Sequence, residues 1–301
     1  MSSTIAVLCS DLHLCHTAPA SRSVEPDWYA AMQRPVEQIR AIATELDVPV
    51  ICGGDVFDKW HCPNELVNWA LHYLPNMYSV PGQHDLPHHN MKEIRRSAYW
   101  TLVEAGKIMN LNGVARKIGD SIFTLGCGWE TEIPKDHDRM ADRVNLITLH
   151  RYVWKAGYSF PGAPVEARAG ILGKSLEGYD VALFGDNHKG FSVRTKTGCL
   201  IWNNGAMMNR HSDEQQSQPR VGLLQEDGTV EERLLDVSDD LWVDMGEDVP
   251  VDDNVEMTEL LDKLKKLGPD SLNFRKTVRE YLQGNDEPPA VQKMLLESIG
   301  E

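Results

Sequence analysis

Five short apolar runs of this chain each lead into a side chain able to bind a metal ion, and that placement limits the fold more than any other feature. TIAVLCS (4–10) runs into Asp11 and His13, PVICGG (49–54) into Asp55 with Asp58 beyond it, and MYSV (77–80) into a Pro81-Gly82 turn followed by Gln83, His84 and Asp85. VNLITLH (144–150) finishes on His150, and DVALFG (180–185) precedes Asp186 and His188. The front half alternates such runs with amphipathic stretches: Tyr29, Met32, Val36, Ile39 and Leu46 recur at helical spacing, and Pro35 is expected to kink or restart that helix. A further helix is expected from Pro63 to Leu74 and another over Lys92 to Ala105. KIMNL, VARKI and SIFTLG read as short strands, and 191–202 and 221–235 as antiparallel strands joined by turns. The fold class is therefore α/β with a buried parallel sheet. In such sheets ligands collect where loops converge at the carboxyl ends of strands. One strand-end Asp is often only a helix cap, and one His beside a strand is often a surface residue. Five in succession point to a single assembled site.

A chain of 301 residues with 42% hydrophobic content can bury a large core as one α/β domain or two smaller ones. The amino terminus, MSSTIAVLCSD, has no basic leader region, and no apolar stretch approaches the roughly 20 residues of a membrane span, so a cytoplasmic protein with no membrane association is expected. The six cysteines form no CxxC pair and read as reduced thiols. The net charge of -15 argues against nucleic acid only until it is placed along the chain. Residues 236–301 hold seventeen acidic and seven basic residues, so most of the excess is a property of the tail. These shifts divide the chain into a catalytic domain (1–235), an acidic linker (236–254) and a helical extension (255–301), the last marked by Leu260, Leu264, Leu267, Phe274, Val278 and Tyr281.

The candidate ligands are carboxylates, imidazoles and an amide, without a thiolate. That set suits Mn, Fe, Zn or Mg, and two such ions a few ångström apart form a clamp for phosphoryl chemistry. Two like-charged ions need a bridging carboxylate. Asp55 is the natural choice, because Gly53 and Gly54 before it let the backbone approach closely.

Asp11-Leu12-His13, GGDVFD (53–58), GQHD (82–85), the lone His150 and GDNH (185–188) resemble, in order and spacing, the motifs DxH, GDxxD, GNHD, His and GHxH of the calcineurin-like metallophosphoesterases. GGDVFDKWHCPNE and WNNGAMMNR (202–210) further resemble the SbcD-like DNA-repair exonucleases within that superfamily. The resemblance covers about residues 4–235 and implies a four-layer α/β/β/α sandwich, two stacked sheets flanked by helices. It implies that Asp11, His13, Asp55 and His188 hold the first ion, and that Asp55, Gln83, His150 and Asp186 hold the second. His84 would be the catalytic histidine that assists the leaving oxygen, with Asp85 orienting its ring.

Gln83 stands where Asn is usual and Asp186 where His is usual, and both departures fall on the second ion. Carboxylate in place of imidazole makes that site harder, which favours Mn or Mg. The reaction implied is two-metal phosphodiester hydrolysis, with DNA as substrate through the SbcD-like resemblance. Lys92, Arg95, Arg96, Arg151 and Lys155 could meet a phosphate backbone, and Tyr152, Trp154, Tyr158 and Phe160 could stack on unpaired bases. A solvated helix face and a packed loop are the plain alternatives. A small-molecule phosphodiesterase or phosphatase, and a weakly metallated binding module, remain open. Relatives of the SbcD-like type work as dimers with an SbcC-like ATPase, so the resemblance offers the helical extension as a docking element by analogy, and packing on its own domain is an equally simple reading. His88 and His89 stay unassigned in this scheme, with loop or substrate contacts as the open readings.

Overall fold

The computed structural model describes residues 2–134, 139–160, 162–210, 214–215 and 217–243. Strand β1 (Thr4–Cys9) leads through a long loop to helix α1 (Trp28–Leu46), then β2 (Val50–Cys52), α2 (Asn64–Tyr73) and β3 (Met77–Ser79). After α3 (Ala98–Glu104) come β4 (Ile108–Asn110), β5 (Ala115–Ile118), β6 (Ile122–Cys127) and β7 (Val144–His150). The one-turn helix α4 (Ala169–Leu172) precedes β8 (Val181–Gly185), β9 (Phe191–Arg194), β10 (Leu200–Asn203), β11 (Arg220–Gln225) and β12 (Val230–Leu234).

Two six-stranded sheets result, ordered β12-β11-β1-β2-β3-β4 and β5-β6-β7-β8-β10-β9. The centre of each is parallel: β1, β2, β3 and β4 run together in the first, and β6, β7, β8 and β10 in the second. Alternation along the strands sets the layers. Leu8 and Ile51 of the first sheet meet Leu146, Val181 and Leu183 of the second in a shared core. Val7, Cys9, Val50 and Cys52 face the other way, against Met32, Val36 and Ile39 of α1, Leu66 and Trp69 of α2, and Leu102 of α3. The outer face of the second sheet, with Ile147, Leu149, Phe184 and Ile201, is covered more thinly by Val153, Ala169 and Leu176.

Helix α1 is continuous through Pro35, and Asp27 caps it by accepting from the Ala30 amide (3.1 Å). The helix expected over Lys92 to Ala105 is instead a 3₁₀ turn at Met91–Arg96 followed by α3. Ser97 makes the break: its backbone is extended, and its hydroxyl accepts from the Trp100 amide to start the second segment.

All six cysteines are free, and among the described residues no helix is long and apolar enough to cross a membrane. The chain divides into two units, Met1–Val243 and Asp244–Glu301. The second, including the extension expected over 255–301, lies outside the described residues. The opening of the acidic stretch is not solvated linker. Asp240 pairs with Arg22 and Arg34, and the Leu241 amide donates to Glu25 (2.9 Å), so residues up to Val243 lie against the start of α1.

Candidate metal centre

The loops after β1 and β2 run side by side. The Asp11 amide donates to the Gly54 carbonyl (2.9 Å), His13 to Asp55 (3.0 Å) and Leu14 to Val56 (2.9 Å). This backbone ladder brings the two loops' side chains to one point. Asp11, His13, Asp55 and Asp186 all hold left-handed backbone, with φ of 54°, 44°, 50° and 86°. Non-glycine residues pay for that conformation, and such strain concentrates at ligand clamps. Gly54 (φ 102°) needs its missing side chain, since a Cβ there would lie 2.5 Å from Nδ1 of His150.

Three overlapping groups bring ligand atoms within 4.8 Å of one another: Asp11 with His13 and His188, Asp11 with Asp55 and His150, and His13 with Asp58 and His84. The imidazoles are oriented from behind. His150 Nδ1 donates to the Gly53 carbonyl (2.7 Å), which turns Nε2 toward Asp55 Oδ2 at 3.2 Å. His188 Nδ1 lies 3.1 Å from Glu214 Oε1, and its Nε2 faces Nε2 of His13 at 3.1 Å. Backing each ring through its far nitrogen is how ligating histidines are held.

The carboxylates are half-satisfied. Asp11 Oδ1 accepts from the Asp186 amide (3.0 Å) and Asp55 Oδ1 from the His84 amide (2.9 Å). Their partner oxygens and Gln83 Oε1 are buried without a partner in hydrogen-bond geometry. Each such orphan costs about 1–3 kcal/mol, and a bound cation would satisfy them. They are lone-pair donors of the kind divalent ions take. Gln83 Nε2 donates to Asp186 Oδ1 (2.7 Å), so the two departures from the motif are hydrogen-bond partners.

Electrostatics agree. Burial raises the Asp11 carboxyl and lowers the His13 imidazole, so each resists its own charge. Burial would raise Asp55 and lower His150, but their attraction outweighs it, holding the His150 imidazole well above its ordinary value and the Asp55 carboxyl well below, so a proton between them does what a bound cation would do. Two cations would relieve this concentration of lone pairs.

Asp85 does not reach the ring of His84. Its carboxylate is fully buried and accepts from the backbone amides of Gly82 (3.0 Å), Phe57 (3.0 Å) and Val56 (3.2 Å). It clamps the loop after β3 to the loop after β2. The His84 ring is oriented by the Asp58 carbonyl, to which Nδ1 donates (2.8 Å). Asp85→Ala leaves three buried amides without an acceptor, each costing about 1–3 kcal/mol. A destabilisation of at least ~3 kcal/mol in urea unfolding is expected; a loss below ~1 kcal/mol would show that Asp85 is not the clamp.

Residues that motif reading did not assign complete the site. Arg210 Nη1 holds Asp58 Oδ1 (2.5 Å), and the Arg210 amide donates to Glu214 Oε2 (2.7 Å), whose other oxygen backs His188. Asn203 Nδ2 donates to the carbonyls of Asn187 (2.7 Å) and Lys189 (3.0 Å), and Asn204 Nδ2 to that of Leu8 (2.8 Å). The WNNGAMMNR stretch therefore laces the last ligand loop to β1. Glu214 sits in no motif and carries no sequence signal.

A family model described as calcineurin-like phosphoesterase matches residues 6–190. The chain belongs to the calcineurin-like phosphoesterase family. No curated protein matches it. Similar solved structures include a dimetal phosphatase from Danio rerio (12% identity, TM-score 0.47, 78% of this chain and 99% of that one). Another is the calcineurin-like phosphoesterase YfkN from Bacillus subtilis (11% identity, TM-score 0.46, 86% of this chain and 98% of that one). A third is TT1561 of Thermus thermophilus (11% identity, TM-score 0.47, 77% of this chain and 99% of that one). Membership makes this calcineurin-like phosphoesterase a metal-dependent phosphoester hydrolase, and its Asp/His clusters suggest a dinuclear divalent metal site.

The basic and aromatic candidates divide. Lys92, Arg95 and Arg96 are exposed on the 3₁₀ turn, with Arg95 over Trp100 (5.6 Å) and Arg96 over Trp60 (5.9 Å). Those beyond β7 are engaged within the protein. Arg151 donates to the Thr131 carbonyl (3.3 Å), Trp154 to that of Pro164 (2.7 Å) and Lys155 to that of Ser192 (3.2 Å). Tyr152 packs on Phe160 (5.1 Å) and Tyr158 on Phe191 (5.4 Å).

Proposed function

We propose that this calcineurin-like phosphoesterase is a two-metal phosphodiester hydrolase of the SbcD-like type acting on DNA. The observation that carries the reading is the convergence of unpartnered lone pairs beside a histidine whose tautomer the backbone dictates. In this scheme Asp11, His13, Asp55 and His188 hold one ion, and Asp55, Gln83, His150 and Asp186 the other. Bound ions supply Lewis acidity at the phosphoryl oxygens and lower the pKa of water.

The chain's own groups do the rest. A carbonyl only accepts, so His84 Nδ1 carries a proton and Nε2 is the working nitrogen. Protonated, it donates to the departing oxygen. The Asp55 bond to the His84 amide ties the bridging carboxylate and this acid to one loop (2.9 Å), which fixes their separation. Asp186 as a carboxylate favours manganese or magnesium over softer ions at the second position. The exposed Lys92, Arg95 and Arg96 support a polyanionic substrate.

A second reading, a small phosphodiester as substrate, is favoured by the cleft beside His84. Its volume is about 560 Å³, within the range of small-molecule sites. The test is incubation with manganese and linear, circular, single-stranded and double-stranded DNA, alongside His84→Ala. The wild type is expected to cleave DNA, and His84→Ala to lose about 10²- to 10⁴-fold at unchanged metal content. Turnover of a small phosphodiester with no cleavage of any DNA would overturn the nuclease assignment.

A further inference from the structure

The cleft that opens on His84 has an unusual wall. Beyond Asp58, Gln83 and His84 it is lined by Lys59, Trp60, His61, Leu86 and His89. Leu86 is fully buried and gives an apolar floor, while Trp60 is half-exposed. The Trp60 indole is braced on several sides. The Arg96 guanidinium lies over the ring (5.9 Å), and the rings of His61 and His88 stand 5.4 and 6.0 Å away.

The loop that brings the two spare histidines here is strained. His88 and His89 occupy successive left-handed positions, φ 51° and 58°, which carry His88 toward Trp60 and His89 toward Trp129. A turn that only connects elements would place glycine or asparagine there, and strain held in a loop beside a reacting centre marks a ligand clamp.

We propose that this cleft is a nucleobase subsite that receives the base attached to the leaving oxygen. An indole face, an apolar floor, imidazoles that both donate and accept, and one ammonium match a planar, hydrogen-bonding aromatic ring. An acyl chain would leave those polar groups unpaired, and an isolated phosphate would not use the indole. The proposal rests on the phosphodiesterase reading for one point, that His84 faces the leaving side.

The experiment titrates the purified full chain with adenosine 5′-monophosphate and, separately, with ribose 5-phosphate, which keeps the phosphate and lacks the base. Adenosine 5′-monophosphate is expected to bind about tenfold more tightly, or better. Trp60→Ala should abolish that preference and Trp60→Phe should keep most of it. His89→Ala, at an exposed position, should reduce it and covers the case in which Trp60→Ala fails to fold. Equal affinities in the wild type, or a preference indifferent to both Trp60→Ala and His89→Ala, would overturn the subsite. DNA cleavage without a base preference would sink the subsite and leave the nuclease reading standing. A base preference through Trp60 without DNA cleavage would do the reverse and point to a nucleotide phosphodiester.

Discussion

Asp55→Asn is expected to lower phosphodiester turnover by about 10³-fold or more and to reduce bound metal to less than one ion per chain. That rate loss corresponds to about 4 kcal/mol of transition-state stabilisation. Asp55 is the carboxylate around which the site is arranged. One oxygen accepts from the His84 amide, and the other lies 3.2 Å from His150 Nε2 and 3.8 Å from His13 Nε2. Asparagine preserves volume and can keep the first contact while removing the charge that two cations would share. The surroundings allow no larger adjustment, because a Cβ on Gly82 would collide with the Asp55 carboxylate. Metal content by mass spectrometry and turnover of a chromogenic phosphodiester are the measurements. A variant that keeps two ions and loses less than tenfold in rate would remove Asp55 from the bridging position.

The second large effect is on stability. Glu25→Ala should destabilise the protein by about 3–5 kcal/mol, the cost of stranding buried charge. Glu25 Oε1 accepts from Arg22 (2.5 Å), Arg34 (2.6 Å) and the Leu241 amide (2.9 Å). Arg22 is itself only 2% exposed, sandwiched between the rings of Trp28 (5.7 Å) and Trp242 (4.8 Å), and would keep Asp240 as its one acidic partner. At roughly 2–4 °C per kcal/mol, the melting temperature should fall by about 10 °C. The pH dependence follows from the same contacts. Burial would raise the Glu25 carboxyl, but Arg22, the Leu241 amide and Arg34 pull it below its ordinary 4.5. A depressed carboxyl stabilises fully above its unfolded value and loses that contribution as pH falls through the folded one. Thermal melts of Glu25→Gln should therefore lose less stability than the wild type on acidification below about pH 4.5. Parallel acid limbs would contradict the assignment.

The strand ends were legible because the signals are local. An apolar run that stops at Asp11, Asp55, His150 or Asp186 is visible in a few residues, and the parallel part of the first sheet follows from the helices between its strands. What escaped depends on partners distant in sequence or on backbone geometry. Asp85 stands beside His84 in the chain, yet its carboxylate turns to amides of the preceding strand's loop, and the orienting acceptor is a carbonyl that no residue type reveals. Ser97 divides an apparently continuous helix because its hydroxyl caps the second segment better than it continues the first. The acidic run after Asp236 reads as solvated by composition, but Asp240 finds Arg22 and Arg34 some two hundred residues away. Arg210 and Glu214 join the centre in the same long-range way.

The hydrogen bond between Gln83 and Asp186 ties together the two departures from the motif. Taken one position at a time, glutamine for asparagine and aspartate for histidine look like two separate erosions of a motif. Joined at 2.7 Å, they form one local pair. The longer amide reaches the carboxylate that stands in for the ring, and the amide oxygen left over stays buried without a protein partner. The two positions therefore act as a coupled pair, and a change at either alters the hydrogen bonding of the other.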